Sequence, residues 1–526
     1  MDRPAVLAAV CLFALVSLGL NVTSSGFLEA DGITHYLYAR WALAEPHLLT
    51  NVWGRPVVTI LHSLPAQLPG TFLGQPWGLI GVRAMSMLLA IGAALLTWRV
   101  AAAQGSEHGH DRPGVAAIFL LCMPLVVLHS ISELTELPFA FLAISALWAY
   151  QHRRWWVLAL LAGLLPAARP EGFGFALMAA GGLLLHRRWL VLLLVPLPLI
   201  VWDRVGWWQY GNVAPGQWWE LFQWLRENWP YSEESTYQSG PLLKFVGMLP
   251  SVVGPMIMPF VIFGVIASFS RRDPGWQAAG GTADAIAPTL GDEGTLAYAS
   301  RDTLTPARTG GWRDHGTRVA WLVAFLPLFV LAVHSVLHWL GKMASSGDVR
   351  YLVSVAPFWA LLGARGWDWL SRRLAWRFDY LLATAAGALP LVVMQIAYPI
   401  VPLESDQPGR EARQVASWYA QSAWARSHPR LLTDHPIVWL TLDINPQAGG
   451  GGKARIIDPP PGAIFLWHEI YSTHNADDRF VVPLEMPPMH GWRDVTPADL
   501  PAGWRVFATD PQLGPGSMSF GRLAEE

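Results

Sequence analysis

Cysteine is almost absent. Cys11 and Cys122 are the only two in 526 residues, and both lie in apolar runs where a thiol ordinarily behaves as a small buried hydrophobe. Neither a disulfide framework nor a thiolate metal site is therefore assigned. Charge is also scarce: Asp, Glu, Lys and Arg together make 14% of the chain, with a formal net charge of -2 and a pI near 6.8. A nucleic-acid surface needs a local excess of Lys and Arg, and none is present. The chain also lacks an internal repeat of the kind that builds transporters from inverted halves. Apolar side chains, in contrast, make up 53% of the residues and give a mean hydropathy of +0.32. That exceeds what a soluble core of this size requires, so most of the chain is expected in lipid.

Apolar stretches of spanning or near-spanning length recur at 4–22, 78–100, 114–131, 136–150, 155–168, 173–186, 188–203, 245–269, 318–340, 351–370 and 379–400. They predict a polytopic α-helical membrane protein with about eleven transmembrane helices. The run from Pro4 to Val22 resembles a signal peptide in position, but no small-residue cleavage pattern closes it, and it is read as a retained helix. Arg99, Arg112, Arg153, Arg154, Arg187, Arg188, Arg271, Arg272, Arg313, Arg318, Arg372, Arg373 and Arg377 all fall on one side of this pattern. The positive-inside bias makes that side cytoplasmic, together with the N-terminus. An odd helix number then puts the C-terminus outside, with the connection 23–77, the turn 129–135, the link 167–172, the loop 204–244 and the link 341–350.

Two segments stand apart from the helices. The stretch 271–317, rich in Gly, Ala, Thr and Asp without periodicity, reads as a disordered cytoplasmic insertion. From 403 to 526 the composition becomes ordinary, with a helical pattern from Glu411 to Arg426. Apolar runs follow at 437–440, 463–467 and 480–482, separated by Pro and Gly turns. This part is expected to form a small extramembrane α/β domain, and residues 1–402 the helical bundle. Asp434, His435, His468 and Glu469 fall at predicted strand ends and are structural by default.

The chemistry-bearing segment is Glu29-Ala30-Asp31, just past the first helix and ahead of an amphipathic stretch rich in Tyr and Trp. Carboxylates there lie at the membrane boundary, where a lipid-linked headgroup would sit. Two readings compete. A positioned carboxylate can deprotonate an acceptor hydroxyl, with Asp31 the candidate base, or the pair can simply cap the next helix.

One helix, a long outer loop opening on Glu29-Ala30-Asp31, a bundle of helices and an outer C-terminal domain together resemble the GT-C superfamily of polyprenyl-phosphate-sugar glycosyltransferases. The nearest branches are the bacterial protein mannosyltransferases and aminoarabinose transferases, family 39-like. Trp53-Gly54-Arg55-Pro56 looks like the segment that leads into a second interfacial helix in that family. The turn from His129 to Glu136 is similar to its second acidic site, which in some members helps bind a divalent cation, Mg or Mn. Gly347-Asp348-Val349-Arg350-Tyr351-Leu352 resembles its Arg-Tyr segment before a late helix.

The resemblance implies a bacterial inner-membrane enzyme that moves a sugar, with inversion, from a polyprenyl phosphate to a hydroxyl of a glycan, lipid or protein acceptor. On that reading Asp31 and Glu29 are catalytic, and Arg350, Tyr351, Lys342 and Arg169 hold the donor phosphate. Glu133 and Glu136 bind metal or substrate. Arginine suits phosphate because its planar fork donates two hydrogen bonds and keeps its charge. A helix-end ion pair is the competing reading of Arg169 with Glu171, solvated helix ends that of Glu133 and Glu136, and membrane-surface anchoring that of Arg350. His334 and His338, four apart, have metal-ligand spacing but no third ligand nearby, and are read as packing residues. Asn21-Val22-Thr23 matches a glycosylation acceptor incidentally. The rival from another class is a lipid or sugar transporter or flippase, disfavoured because no charged pathway is found at mid-membrane depth.

Overall fold

The computed structural model describes residues 2–105, 111–210, 221–230, 239–269, 315–343, 346–374, 379–397, 399–428, 430–445, 453–473 and 481–510. Residues 271–314 of the expected insertion, and 211–220 and 231–238 of loop 204–244, lie outside them, and the insertion's last three residues begin the helix His315–Leu340.

Each apolar stretch marked in the sequence is helical. Helix α1 spans Asp2–Thr23, α2 Ala30–Trp41, α3 Pro56–Ser63 and α4 Trp77–Gln104. Then come α5 (Gly114–Cys122), α6 (Pro124–His129), α7 (Glu136–Gln151), α8 (Trp155–Ala168) and α9 (Gly172–Leu185). Later helices cover Lys244–Val253, Met258–Phe269, His315–Leu340, Ala356–Arg373 and Tyr380–Ala397.

Length and composition alone support fewer crossings than the eleven expected. Among the described residues five helices are long and apolar enough to span a membrane, or six if one bent pair counts as a span. The shortfall has local causes. Residues 114–131 break between α5 and α6, where Pro124 cannot continue the helix. Helices α8 and α9 have 14 residues each, too short for a hydrocarbon core that needs about 20. The bent pair Lys244–Val253 and Met258–Phe269 turns through 113° at Gly254, whose φ of +92° suits only glycine.

Small residues let the bundle close. A Cβ on Gly264 would strike the Leu362 carbonyl, and one on Gly366 the Phe260 carbonyl, so helices 258–269 and 356–373 touch backbone to backbone. That is how membrane helices gain packing where no hydrophobic drive separates them from lipid. Phe119, Phe260 and Trp367 fill the space beside this contact, with ring centroids 4.8–6.0 Å apart.

Beyond the bundle, strands β3 (Arg430–Thr433), β4 (Ala463–His468), β5 (Arg493–Asp494) and β6 (Trp504–Ala508) form a sheet in the order β3-β4-β6-β5. The β3–β4 pair is parallel and the others antiparallel. A short hairpin, β1 (Thr71–Phe72) with β2 (Gln75–Pro76), precedes α4. The apolar run 437–440, expected as a strand, is instead the helix Pro436–Thr441, with Pro436 at its start as prolines favour. This helix packs on α2, and Ile33, Tyr36 and Leu37 share one core with Ile437, Val438, Leu466 and Trp504. The segment after 403 is therefore packed on the acidic-motif helix through one face of its sheet, while Leu432, Ile456, Phe465, Trp467, Val482, Trp492 and Phe507 form a second core of its own.

Arg83 on α4 anchors that packing. It is fully buried, pairs with Glu133 at 2.5 Å, and donates to the carbonyls of Ser24 at 2.9 Å and Gly26 at 2.7 Å. Ser24 and Gly26 are tied in turn to Leu403, at 2.9 and 2.7 Å. Removing one member of a buried ion pair leaves an uncompensated charge and costs about 3–5 kcal/mol. Arg83→Met should therefore lower the melting temperature of the purified protein markedly, and adding Glu133→Leu should recover part of the loss. A double variant no better than Arg83→Met would contradict the pairing.

Candidate active site at the acidic motif

Helix α2 begins at the motif, yet its carboxylates do not cap it. Glu29 occupies the N-cap position with extended backbone and makes no capping hydrogen bond. Asp31, in the first turn, accepts from Arg350 Nη2 at 2.6 Å across 319 residues of chain. The capping reading of the motif thus gives way to an ion pair between the two segments singled out in the sequence.

Arg350 is set by a 3-10 helix, Val349–Val355, whose N-cap Asp348 accepts from the Arg350 backbone N–H at 2.9 Å. The same carboxylate pairs with Arg350 Nε at 2.8 Å, and Glu136 Oε1 lies 3.8 Å from that nitrogen. Arg350 Nη1 is buried with no hydrogen-bond partner among the described residues. Its side chain is 15% exposed and that of Asp31 46%, so the pair runs from a largely buried cation to an accessible carboxylate.

Glu136 opens α7 and ties this pair to a second one. Its Oε1 accepts from Arg169 Nη1 at 2.6 Å, and Arg169 also donates to Thr135 Oγ1 at 2.8 Å and to Glu171 at 2.9 Å. His334 Nε2 sits 3.0 Å from Glu171 and its ring stacks on Tyr351 at 4.7 Å. Tyr351 lies beneath both guanidinium groups, 5.5 Å from Arg169 and 5.9 Å from Arg350, with its hydroxyl 3.0 Å from Ser346. Alternating charge is what lets so many ionised groups share a low-dielectric site.

The residues linked in the sequence part company here. Glu133 gives one oxygen to Arg83, while the other is buried and points at Gly32, where a Cβ would stand 2.6 Å away. Glu136 faces the arginines and, through its unpartnered Oε2, His129 Nε2 at 3.9 Å. As for the divalent cation, no group of three His, Cys, Asp or Glu that could hold one occurs among the described residues. Glu133 and Glu136 are each engaged by a guanidinium, so the residues do not fit that ion. Arg169 is committed to two carboxylates and orients Glu136. Lys342 is exposed on the turn after helix 315–340.

A lysine that sequence reasoning missed does better. Lys244 lines a cavity of about 880 Å³ with Ser239, Gly240, Leu243, Met248, His338 and Ser346. Ser346 connects it to Tyr351. Only the backbone turn at Gly347, where a Cβ would meet both Lys244 Nζ and His338, puts them together, and no sequence spacing signals that.

His35 was also missed, although it lies one turn beyond Asp31 on α2. It is buried, stacks on Trp53 at 4.7 Å and 14°, and its Nδ1 has no hydrogen-bond partner among the described residues. The Trp53 segment thus serves to hold α2's histidine.

Two solved structures share this architecture. ArnT from Cupriavidus metallidurans superposes with a TM-score of 0.56 in its apo state, at 12% identity, over 98% of this chain and 100% of its own. Bound to undecaprenyl phosphate it gives 0.54 at 12% identity, over 97% and 98%. The chain has the GT-C fold. An archaeal oligosaccharyltransferase from Archaeoglobus fulgidus aligns at 0.48 with 11% identity, over 97% of this chain and 75% of its own. No family model matches the sequence, and no curated protein does.

Burial is the main electrostatic force on the site's titratable edge. It raises the Glu29 carboxyl above its ordinary range, Arg350 opposes this, and the carboxylates of Asp348, Asp31 and Glu136 add to it. It also lowers His35 from 6.5 to about 4, against the pull of Asp31. A neutral buried histidine stabilises the fold fully above pH 6.5, and that contribution is lost as pH falls towards 4, because the unfolded chain takes up the proton first. The melting temperature should fall across that window, and His35→Gln should lessen the fall. An identical pH dependence in the variant would contradict the buried neutral state.

Proposed function

We propose that the protein is a membrane glycosyltransferase, moving a sugar from a polyprenyl-phosphate carrier to an acceptor hydroxyl on the outer face of the membrane. The observation that carries this reading is the 2.6 Å contact between Asp31 and Arg350. It joins a carboxylate able to act as base to a cation able to hold phosphate, and among the described residues Arg350 Nη1 beside it has no hydrogen-bond partner. The fold supports it, since ArnT binds undecaprenyl phosphate.

In this reading the carrier phosphate meets Arg350 through its unpartnered Nη1 and its fork, with Lys244 contributing a second positive charge from the cavity. The cavity's lining of Leu243, Met248, Pro241 and Gly247 suits the first carrier isoprenes. Phosphate then competes with Asp31 for Arg350. Released from the guanidinium, the Asp31 carboxylate takes the proton of the acceptor hydroxyl. The acceptor oxygen forms its bond to the anomeric carbon as the carbon–oxygen bond to the phosphate breaks. The electron pair leaves on the phosphate, stabilised by Arg350 and Lys244, and a single displacement of this kind inverts the anomeric centre. Arg169, Glu136 and Tyr351 position Arg350. The arginines supply the positive charge that a divalent cation would otherwise bring, and no step uses one.

Asp31→Asn keeps the hydrogen-bonding shape but cannot take a proton, so transfer from a polyprenyl-phosphate sugar should fall by about 100-fold to 10,000-fold. Binding of undecaprenyl phosphate should survive, and EDTA should leave wild-type transfer unchanged. Undiminished transfer by Asp31→Asn would sink the mechanism. Transport without transfer by the wild type would favour the flippase, and loss of transfer in EDTA would restore a cation.

A further inference from the structure

The surface that faces the acidic motif from the sheet side has no role in the account so far. His435 follows β3 and is 1% exposed; its Nδ1 accepts from the Ile437 backbone N–H at 3.3 Å, so Nε2 carries the proton. That N–H is buried with no hydrogen-bond partner among the described residues. An unsatisfied buried donor costs about 1–3 kcal/mol. Around it stand Trp504, stacked at 5.0 Å and 28°, His468 at 5.1 Å and Tyr471 at 4.2 Å between ring centroids. His468 is locked in the same tautomer, its Nδ1 accepting from the backbone N–H of Ile470 at 3.2 Å.

This cluster is held over the motif. His435 begins the helix Pro436–Thr441 that packs on α2, and Gly26 contacts the Glu404 carbonyl so closely that a Cβ would clash. Arg413 donates to the Ser25 carbonyl at 2.8 Å. Tyr471, partly exposed, has its phenol pushed up by burial and then by the carboxylates of Asp406, Asp31 and Glu29. Arg350 meets the motif from the bundle, whereas Tyr471 is packed against His435, at the start of the helix that lies on α2. Burial and the neighbouring His468 bring His435 down to about 3, so the cluster's centre is uncharged at neutral pH.

We propose that Tyr471, backed by His435, His468 and Trp504, forms the acceptor-binding wall of the site and takes a hydroxyl-bearing ring, a sugar or polyol headgroup. An aromatic face with adjacent N–H and O–H donors suits such a ring, with apolar area for its C–H face and polar atoms for its hydroxyls. The inference rests on the transferase reading, and the test separates the two.

Full-length protein in nanodiscs is supplied with a polyprenyl-phosphate sugar, and vesicles of the host's total membrane glycolipid are titrated as acceptor. Thermal stabilisation by undecaprenyl phosphate is measured in parallel. Tyr471→Ala should raise the half-saturating acceptor concentration about 10-fold, and Tyr471→Phe, which keeps the ring, by less, with donor stabilisation unchanged in both. Unchanged half-saturation in Tyr471→Ala overturns the acceptor wall and leaves the transferase reading standing. Loss of donor stabilisation in both variants also overturns it, because Tyr471 would then be structural. No transfer by the wild type while undecaprenyl phosphate still binds overturns both.

Discussion

Arg350 is the group on which the site depends. A guanidinium buried at the end of a helix bundle is costly unless carboxylates surround it, and here Asp31, Asp348 and Glu136 come to it from three separate parts of the chain. Each of those carboxylates in turn needs a positive neighbour. Glu136 finds it in Arg169, and Arg169 is balanced by Glu171, beside His334. Charge compensation thus brings together α2, α7, the α8–α9 turn, helix 315–340 and the 3-10 helix. Among the described residues the same network leaves Arg350 Nη1 without a hydrogen-bond partner, the position that the proposed reading gives to a phosphate.

Much of this was legible in the sequence because it rests on short-range rules. Apolar runs mark the helices within a few residues, and Glu29-Ala30-Asp31 is conspicuous as a charged pair beside a membrane helix. Arg350 stands out as an arginine opening an apolar run. Helix length was less legible, since α8 and α9 read as near-spanning runs and have 14 residues each. Run 437–440 read as a strand because four apolar residues carry no period, and only Pro436 hinted at a helix start.

The separation of Glu133 from Glu136 was beyond the sequence for a different reason. Three residues apart, they looked like one acidic site, but the turn before α7 sends them to opposite partners, Arg83 and Arg169. Those arginines lie 50 and 33 residues away. Lys244 and Tyr471 are long-range in the same sense: each reaches its neighbours through a fold, the first by the turn at Gly347 and the second by the seating of the sheet on α2. Lys342 carried a charge at the right place in the chain but is exposed on its turn.

The central claim is that Arg350 exchanges Asp31 for the carrier phosphate. A structure of the full chain in lipid nanodiscs with undecaprenyl phosphate tests this most directly. The account predicts the phosphate within hydrogen-bond distance of Arg350, with the Asp31 carboxylate released from the guanidinium. A phosphate bound elsewhere, with the Asp31–Arg350 pair intact, would contradict it.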